Sequence, residues 1–280
     1  MTEMASFWEL WSPYWSYEED FFLDLESIDK LIDTIRNPVL IIGAGQGLLV
    51  EQLQKKGFKV DGVDLDSNMI IYAKKRRGLN LIQTNANNMP FADNSYKTSI
   101  IATGVVDWLD DEEQIKLIIN EVFRITDDAG RVFVAFYKYH SKVEKLLRYT
   151  GLITDKGSHR FKRMYEMMKL SCDSSIEFIK AMKNEANIGF FRAILILIKT
   201  QMFLPKKEKR SSKNWSKLWK KAKRELDNPE SLIECVPELL PYRNEEHIRN
   251  LFSNLNIPIH NIFIYDSCSI VQLEPTNIQC

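Results

Sequence analysis

The run PVLIIGAGQG at positions 38–47 constrains the fold more than any other stretch of the chain. Val39 to Ile42 form a short apolar run that reads as a buried strand, and LLVEQLQKKG comes next with Leu49, Val50 and Leu53 on one helical face. Between them stand Gly43, Gly45 and Gly47. A turn this rich in glycine takes positive φ at little cost and lets a ligand approach the main chain with no Cβ in the way. A dinucleotide fingerprint requires G-x-G-x-x-G, whose third glycine packs helix on strand beneath a pyrophosphate. Here position 48 is Leu, and the pattern is G-x-G-x-G. A tight strand-to-helix turn in any α/β protein would look the same, so the glycines gain meaning only from the elements downstream of them.

Those elements alternate between strand and helix. FKVDGVD reads as a second strand, and DSNMIIYAKKRRG as a helix with Asp66 or Ser67 at its N-cap and Gly78 as its stop. LNLIQ and YKTSIIATGVV read as the third and fourth strands. DDEEQIKLIINEVFRIT is a helix with carboxylates in its first turn, where the macrodipole favours them. GRVFVAFY is the fifth strand. This rhythm predicts βαβ units and a parallel sheet. Near the C-terminus NEEHIRNLFSNLN reads as a helix, and IHNIFIY and CSIVQLE come after it without a helix between them, which predicts an antiparallel hairpin. Residues 141–240 do not alternate and read as helical.

The expected fold is therefore α/β: a Rossmann-like, mostly parallel sheet with an antiparallel C-terminal hairpin strand, plus an inserted helical lid lobe. The expected domains are 1–140 as N-terminal cap and cofactor-binding core, 141–240 as a substrate-covering helical lid, and 241–280 as the helix and hairpin that complete the core.

Charge is unevenly spread. The 280 residues hold 38 Lys and Arg against 38 Asp and Glu, yet ten basic residues and one Glu lie between Lys206 and Arg224. There Trp215, Leu218 and Trp219 interleave with Lys213, Lys217, Lys220 and Lys221. A basic amphipathic helix carrying Trp reads as an interfacial anchor or as a solvated lid helix. Upstream, IGFFRAILILIKTQMFL has no uncharged run longer than six residues, against the ~20 that a bilayer span requires. The first expectation is a solvated lid helix whose tryptophans touch the core, and the alternative is a peripheral membrane contact through 188–224. Cys172, Cys235, Cys268 and Cys280 lack metal-ligand spacing, which points to neither a zinc site nor a disulfide framework. MTEMASFWELW lacks the pattern of a secretory signal, so the expected compartment is the cytoplasm, with membrane association through 188–224 as an alternative.

Asp64 ends the second strand about twenty residues past the glycines, where a carboxylate can accept both hydroxyls of an adenosine ribose. With VLIIGAGQG, VDGVDLDSNMI, NANNMPFADNSY and GRVFVAF in this order, the chain resembles the class I methyltransferases that use S-adenosyl-L-methionine. The resemblance covers roughly residues 10–140 and the final helix and hairpin. It implies that the backbone of Gly43, Ala44 and Gly45 lies against the methionine part of the cofactor and that Asp64 holds the ribose. It further implies that Leu65 flanks the adenine, that Asn85 and Ala86 meet the adenine edge, and that Thr103 and Gly104 lie beside the sulfonium. Tyr14 and Tyr17 resemble the aromatic N-terminal segment that folds over the cofactor, where ring faces favour a cation. Two departures stand out: Asn85 and Lys97 occupy positions where the family usually has Asp.

Methyl transfer from a sulfonium is an in-line displacement in which the protein chiefly supplies alignment. A phenol, thiol or acid acceptor also needs a base, and the candidates are His140, Asp107 and Tyr137, at or after the ends of the fourth and fifth strands. No D-P-P-Y or N-P-P-Y run comes after the fourth strand, and no Pro-Cys nucleophile is present. The expected activity is thus methylation of an O, S or activated C atom of a small, largely apolar acceptor, such as a quinone, phenol, acid or lipid-like molecule. The alternatives are an RNA methyltransferase using 206–224, with nucleic acid the weaker partner, and a non-catalytic cofactor-binding protein.

Overall fold

The computed structural model describes residues 29–138, 241–265 and 268–274, with scattered positions between 144 and 240. The chain divides into two compact units, one comprising Tyr17–Tyr139 and Pro241–Cys280, the other Met1–Ser16 and His140–Leu240. Tyr14, Tyr17, His140 and the segment 188–219 lie outside the described residues, as does most of the expected lid. In the second unit the described positions include a short helix at Ser231–Glu234.

The first unit is built on a seven-stranded sheet. Its elements are β1 (Val39–Ile42), α1 (Leu48–Lys55), β2 (Val60–Asp64), α2 (Ser67–Arg77), β3 (Ile82–Gln83), β4 (Tyr96–Ile101), α3 (Glu112–Ile125), β5 (Thr126–Tyr137), α4 (Glu245–Asn254), β6 (Ile259–Ile264) and β7 (Cys268–Leu273). The strands lie in the order β3-β2-β1-β4-β5-β7-β6. The first five are mutually parallel. β7 runs antiparallel to β5, with Val134 opposite Val271, and β6 closes the edge antiparallel to β7. The hairpin expected from IHNIFIY and CSIVQLE is present, with its second strand inserted next to β5.

β1 is central, and all four of its residues are buried. Successive side chains point to opposite faces of a strand, and the two faces feed separate cores. Leu40 and Ile42 join Ile119, Val122 and Phe252 from α3 and α4. Val39 and Ile41 join Leu53 and Ala73 from α1 and α2. Phe136 and Phe252 meet edge to face at 6.0 Å between ring centroids, a geometry that adds to simple area burial. Each fully buried aliphatic side chain contributes about 1.5–3 kcal/mol, so a strand buried on both sides anchors the loops at its ends.

The helix ends obey local chemistry. The Asp66 side chain caps α2 by accepting from the Asn68 N–H, and Gly78 ends that helix at φ 71°. The Asp111 side chain accepts from the N–H groups of Glu113 and Gln114 at the start of α3. Three elements differ from the sequence reading. The fourth strand, read as YKTSIIATGVV, stops at Ile101 and gives way to a loop and a short turn at Val106–Trp108. The third strand shrinks from LNLIQ to two residues, because Leu79 and Leu81 are used as core plugs below α1 and α2. The fifth strand begins at Thr126, directly after α3, and its pairing with β4 jumps from Tyr96↔Thr126 to Thr98↔Arg131. The intervening Asp127–Gly130 turn leaves the ladder, and Lys97 pairs with Asp127 at 2.6 Å across that break.

Candidate cofactor site

All five parallel strands end on one edge of the sheet, and strand order reverses between β1 and β4. Ligands of open α/β sheets bind outside such a switch point. The loop leaving β1 is zipped to the end of β2: the Ala44 N–H donates to the Val63 carbonyl at 2.9 Å, and the Gly45 N–H to Asp64 Oδ2 at 2.7 Å. Asp64 Oδ1 accepts from the Asp66 N–H at 2.9 Å. Each carboxylate oxygen therefore holds one amide and keeps further lone-pair capacity for a sugar hydroxyl. Burial pushes the Asp64 pKa up to about 6, against the opposing pull of the Asp66 and Gly45 amides.

The two leading glycines serve different ends. Gly45 has φ +54° and, among the described residues, nothing within 4 Å of where a Cβ would project, so these residues leave the space above its main chain open. Gly43 has φ +71°, but a Cβ there would come within 2.3 Å of Val105 Cγ2. Open approach to the backbone is thus a property of Gly45, while Gly43 is required by close packing against the loop after β4. Gly47 stands at the N-cap of α1 with φ 79°.

Leu65 is 53% exposed just past Asp64. Asn85 lies exposed in the loop after β3, where its Oδ1 accepts from the Asn87 N–H at 3.2 Å, and Ala86 packs against the core. The Asn85 oxygen is therefore shared with its own turn. Sequence reasoning did not identify what holds this loop. Glu121 of α3 accepts from the Met89 N–H at 2.6 Å, and Arg124 binds Glu121, Asp93 and the carbonyls of Phe91 and Met89. Arg124 lowers the Glu121 pKa, and Glu121 and Asp93 raise that of Arg124. In sequence the pair reads as an ordinary surface i,i+3 contact, with no local sign of a partner some thirty residues away. Arg124→Ala is expected to destabilise the fold by about 1–3 kcal/mol, since several charged hydrogen bonds are lost at a half-exposed site. Thermal melts check this, and an unchanged midpoint refutes the brace.

At the end of β4, Thr103 is 6% exposed and its hydroxyl has no hydrogen-bond partner among the described residues. A buried unsatisfied hydroxyl is costly, which suits a site completed by a ligand. Gly104 comes next with φ +86°. Asp107 is a candidate base by sequence, but the structure gives it another job: it is buried, and its carboxylate accepts the N–H of Gly104 at 2.6 Å and of Tyr137 at 3.0 Å. Burial raises its pKa to about 6, with the two amides opposing. Tyr137 sits half-buried at the end of β5. Gly43, Ala44, Gly45, Asp64, Leu65, Asn85, Ala86, Thr103, Gly104 and Tyr137 are thereby gathered at one edge of the sheet. Among the described residues, no group of three or more His, Cys, Asp or Glu side chains could hold a metal ion, and no helix is long and apolar enough to cross a membrane.

The open main chain at Gly45, the poised Asp64 carboxylate and the unpaired Thr103 hydroxyl fit an adenosyl amino acid. This site, on a sheet ordered β3-β2-β1-β4-β5-β7-β6 with β7 antiparallel, is the arrangement of a class I S-adenosyl-L-methionine-dependent methyltransferase domain. Residues 40–134, less than half of the chain, match the family model described as a methyltransferase domain. A demethylmenaquinone methyltransferase of Paenarthrobacter aurescens is 28% identical over 113 residues, covering 40% of this chain and 43% of that protein. The match thus spans less than half the length of that curated relative. A solved S-adenosyl-L-methionine-dependent methyltransferase from Methanosarcina mazei aligns with a TM-score of 0.51 at 14% identity, over 87% of this chain and 95% of that one. A Rhodobacter sphaeroides structure described as a zinc-dependent alcohol dehydrogenase gives 0.55 at 12% identity, over 98% of each chain. At these identities both structures speak to the fold alone.

Proposed function

We propose that the protein is an active methyltransferase that moves a methyl group from S-adenosyl-L-methionine to an oxygen or activated carbon of a small, largely apolar acceptor of the quinol or phenol type. The observation that carries the reading is the Asp64 carboxylate spanning the Gly45 and Asp66 amides beside open main chain. The quinol class draws support from the name of the Paenarthrobacter aurescens relative.

When bound, the cofactor supplies a methyl group on a sulfonium, an electrophile with a neutral thioether as leaving group. The residues of the chain do the rest. Asp64, ionised, accepts the ribose hydroxyls. The main chain at Ala44 and Gly45 receives the methionine part, and Leu65 and Ala86 offer apolar surface to the adenine. Thr103 satisfies its buried hydroxyl on the ligand. Alignment of this kind is worth up to about 7–11 kcal/mol in well-oriented systems. Removal of the acceptor proton falls to His140, which comes after β5 in sequence, outside the described residues; Asp107, buried with one backbone amide on each oxygen, is given a positioning task instead.

The test incubates the protein with cofactor labelled on the methyl group and 1,4-dihydroxynaphthalene, a simple phenol, a fatty acid or transfer RNA. Label in the naphthoquinol or phenol product is expected. Transfer to RNA alone, or none to any acceptor by protein that binds the cofactor, refutes the reading.

A further inference from the structure

Asp107 joins three places that are remote in sequence. Its Oδ1 accepts the Gly104 N–H, three residues back, at 2.6 Å. Its Oδ2 accepts the Tyr137 N–H at the end of β5, and its own carbonyl accepts from Arg243 Nη1 at 2.9 Å. Arg243 Nη2 also donates to the Leu109 carbonyl. The core unit breaks off at Tyr139 and resumes at Pro241. Tyr137 and Arg243 are thus the roots of the long insertion, each two residues inside the core. Both are fastened to one residue, which also fastens the turn carrying the unpaired Thr103 hydroxyl.

An ordinary Asp cap would bind neighbouring amides in its own turn. Here one acceptor faces the β4 loop and the other faces β5, so the carboxylate sets the separation of two strand ends. The Arg243 guanidinium donates to the Asp107 and Leu109 carbonyls, which leaves the carboxylate oxygens to the amides. Asn offers a single acceptor oxygen, and its NH₂ would face one of the two N–H donors. The chemistry at this position therefore asks for a carboxylate.

We propose that Asp107, backed by Arg243, is a positioning residue for methyl transfer that fixes both roots of the inserted segment to the Thr103–Gly104 turn. The kinetic part of the proposal rests on the methyltransferase reading above; the structural part does not.

The test pairs amide hydrogen exchange with kinetics on full-length Asp107→Asn and Arg243→Met variants. In Asp107→Asn, exchange at the Gly104 and Tyr137 amides is expected to rise by about tenfold or more, while amides of β1 stay protected, as local opening requires. Arg243→Met is expected to raise exchange at the same two amides, although the Arg243 guanidinium donates to the Asp107 and Leu109 carbonyls. S-adenosyl-L-homocysteine should still bind Asp107→Asn at full stoichiometry with Kd within about threefold, while kcat with 1,4-dihydroxynaphthalene falls by about tenfold or more at similar KM. Unchanged exchange at Gly104 and Tyr137, a uniform rise that includes β1, or loosened amides with an unaltered kcat each overturns the proposal. Should Asp107→Asn fail to fold, exchange in Arg243→Met decides. A parent protein that does not methylate the naphthoquinol counts against the quinol reading, and the exchange result still judges Asp107.

Discussion

Asp64→Asn weakens binding of S-adenosyl-L-homocysteine by roughly 30- to 300-fold, because two hydrogen bonds from ribose hydroxyls to a charged acceptor are lost or made poorer. The substitution also disturbs the apo loop, since Asp64 holds the amides of both Gly45 and Asp66. Affinity should depend on pH in a way the variant lacks. The Asp64 pKa is raised to about 6, so ionised Asp64 dominates at pH 7 and falls to about a tenth at pH 5, lowering affinity about tenfold. Stability moves the other way. Asp64 and Asp107 both have folded pKa values raised to about 6 from the ordinary carboxylate value of 3.8, so the folded state holds more protons than the unfolded chain between those limits. Their contribution to apo stability therefore rises as pH falls from about 6 toward 4. Calorimetry and thermal melts at pH 5, 6 and 7 check both trends. An affinity that is flat with pH in the parent would remove Asp64 from the ribose.

Gly45→Val should abolish measurable cofactor binding, a loss of at least ~100-fold, with a smaller effect on folding. At φ +54° a β-branched residue costs about 1–2 kcal/mol in backbone strain. Among the described residues no atom lies within 4 Å of the new Cβ position, so the side chain occupies ligand space rather than colliding with the sheet and its helices. Gly43→Ala makes the informative contrast, since its Cβ would press on Val105 and act through packing. Calorimetry beside a melting curve separates the two. Full affinity in a folded Gly45→Val protein would mean that no ligand lies against that turn.

Much of the fold and the cofactor site is legible in the sequence because it rests on local chemistry. The glycine spacing, the Asp66 and Asp111 caps, the Gly78 stop and the alternation of strand and helix all declare themselves within a dozen residues. Asp64 is legible for the same reason, standing one strand beyond the glycines. Residues whose role depends on remote partners escape such a reading. Arg124 and Glu121 steady a loop some thirty positions upstream, and Val105 fills the space that makes Gly43 obligatory. Asp107 looks like a candidate base because a carboxylate after β4 falls at the catalytic edge. Only the fold reveals that Gly104 and Tyr137 already occupy its oxygens.

The position of β7 bears on how the chain is made. β5 is flanked on one side by β4 and on the other by a strand that begins at Cys268, well over a hundred residues later. While the protein is being translated, the apolar flank of Val132 to Phe136 must wait for the whole segment between β5 and β7 to leave the ribosome before its neighbour arrives. An unpaired strand flank of that kind is a template for aggregation, so nascent chains stalled before Cys268 should depend most heavily on chaperones.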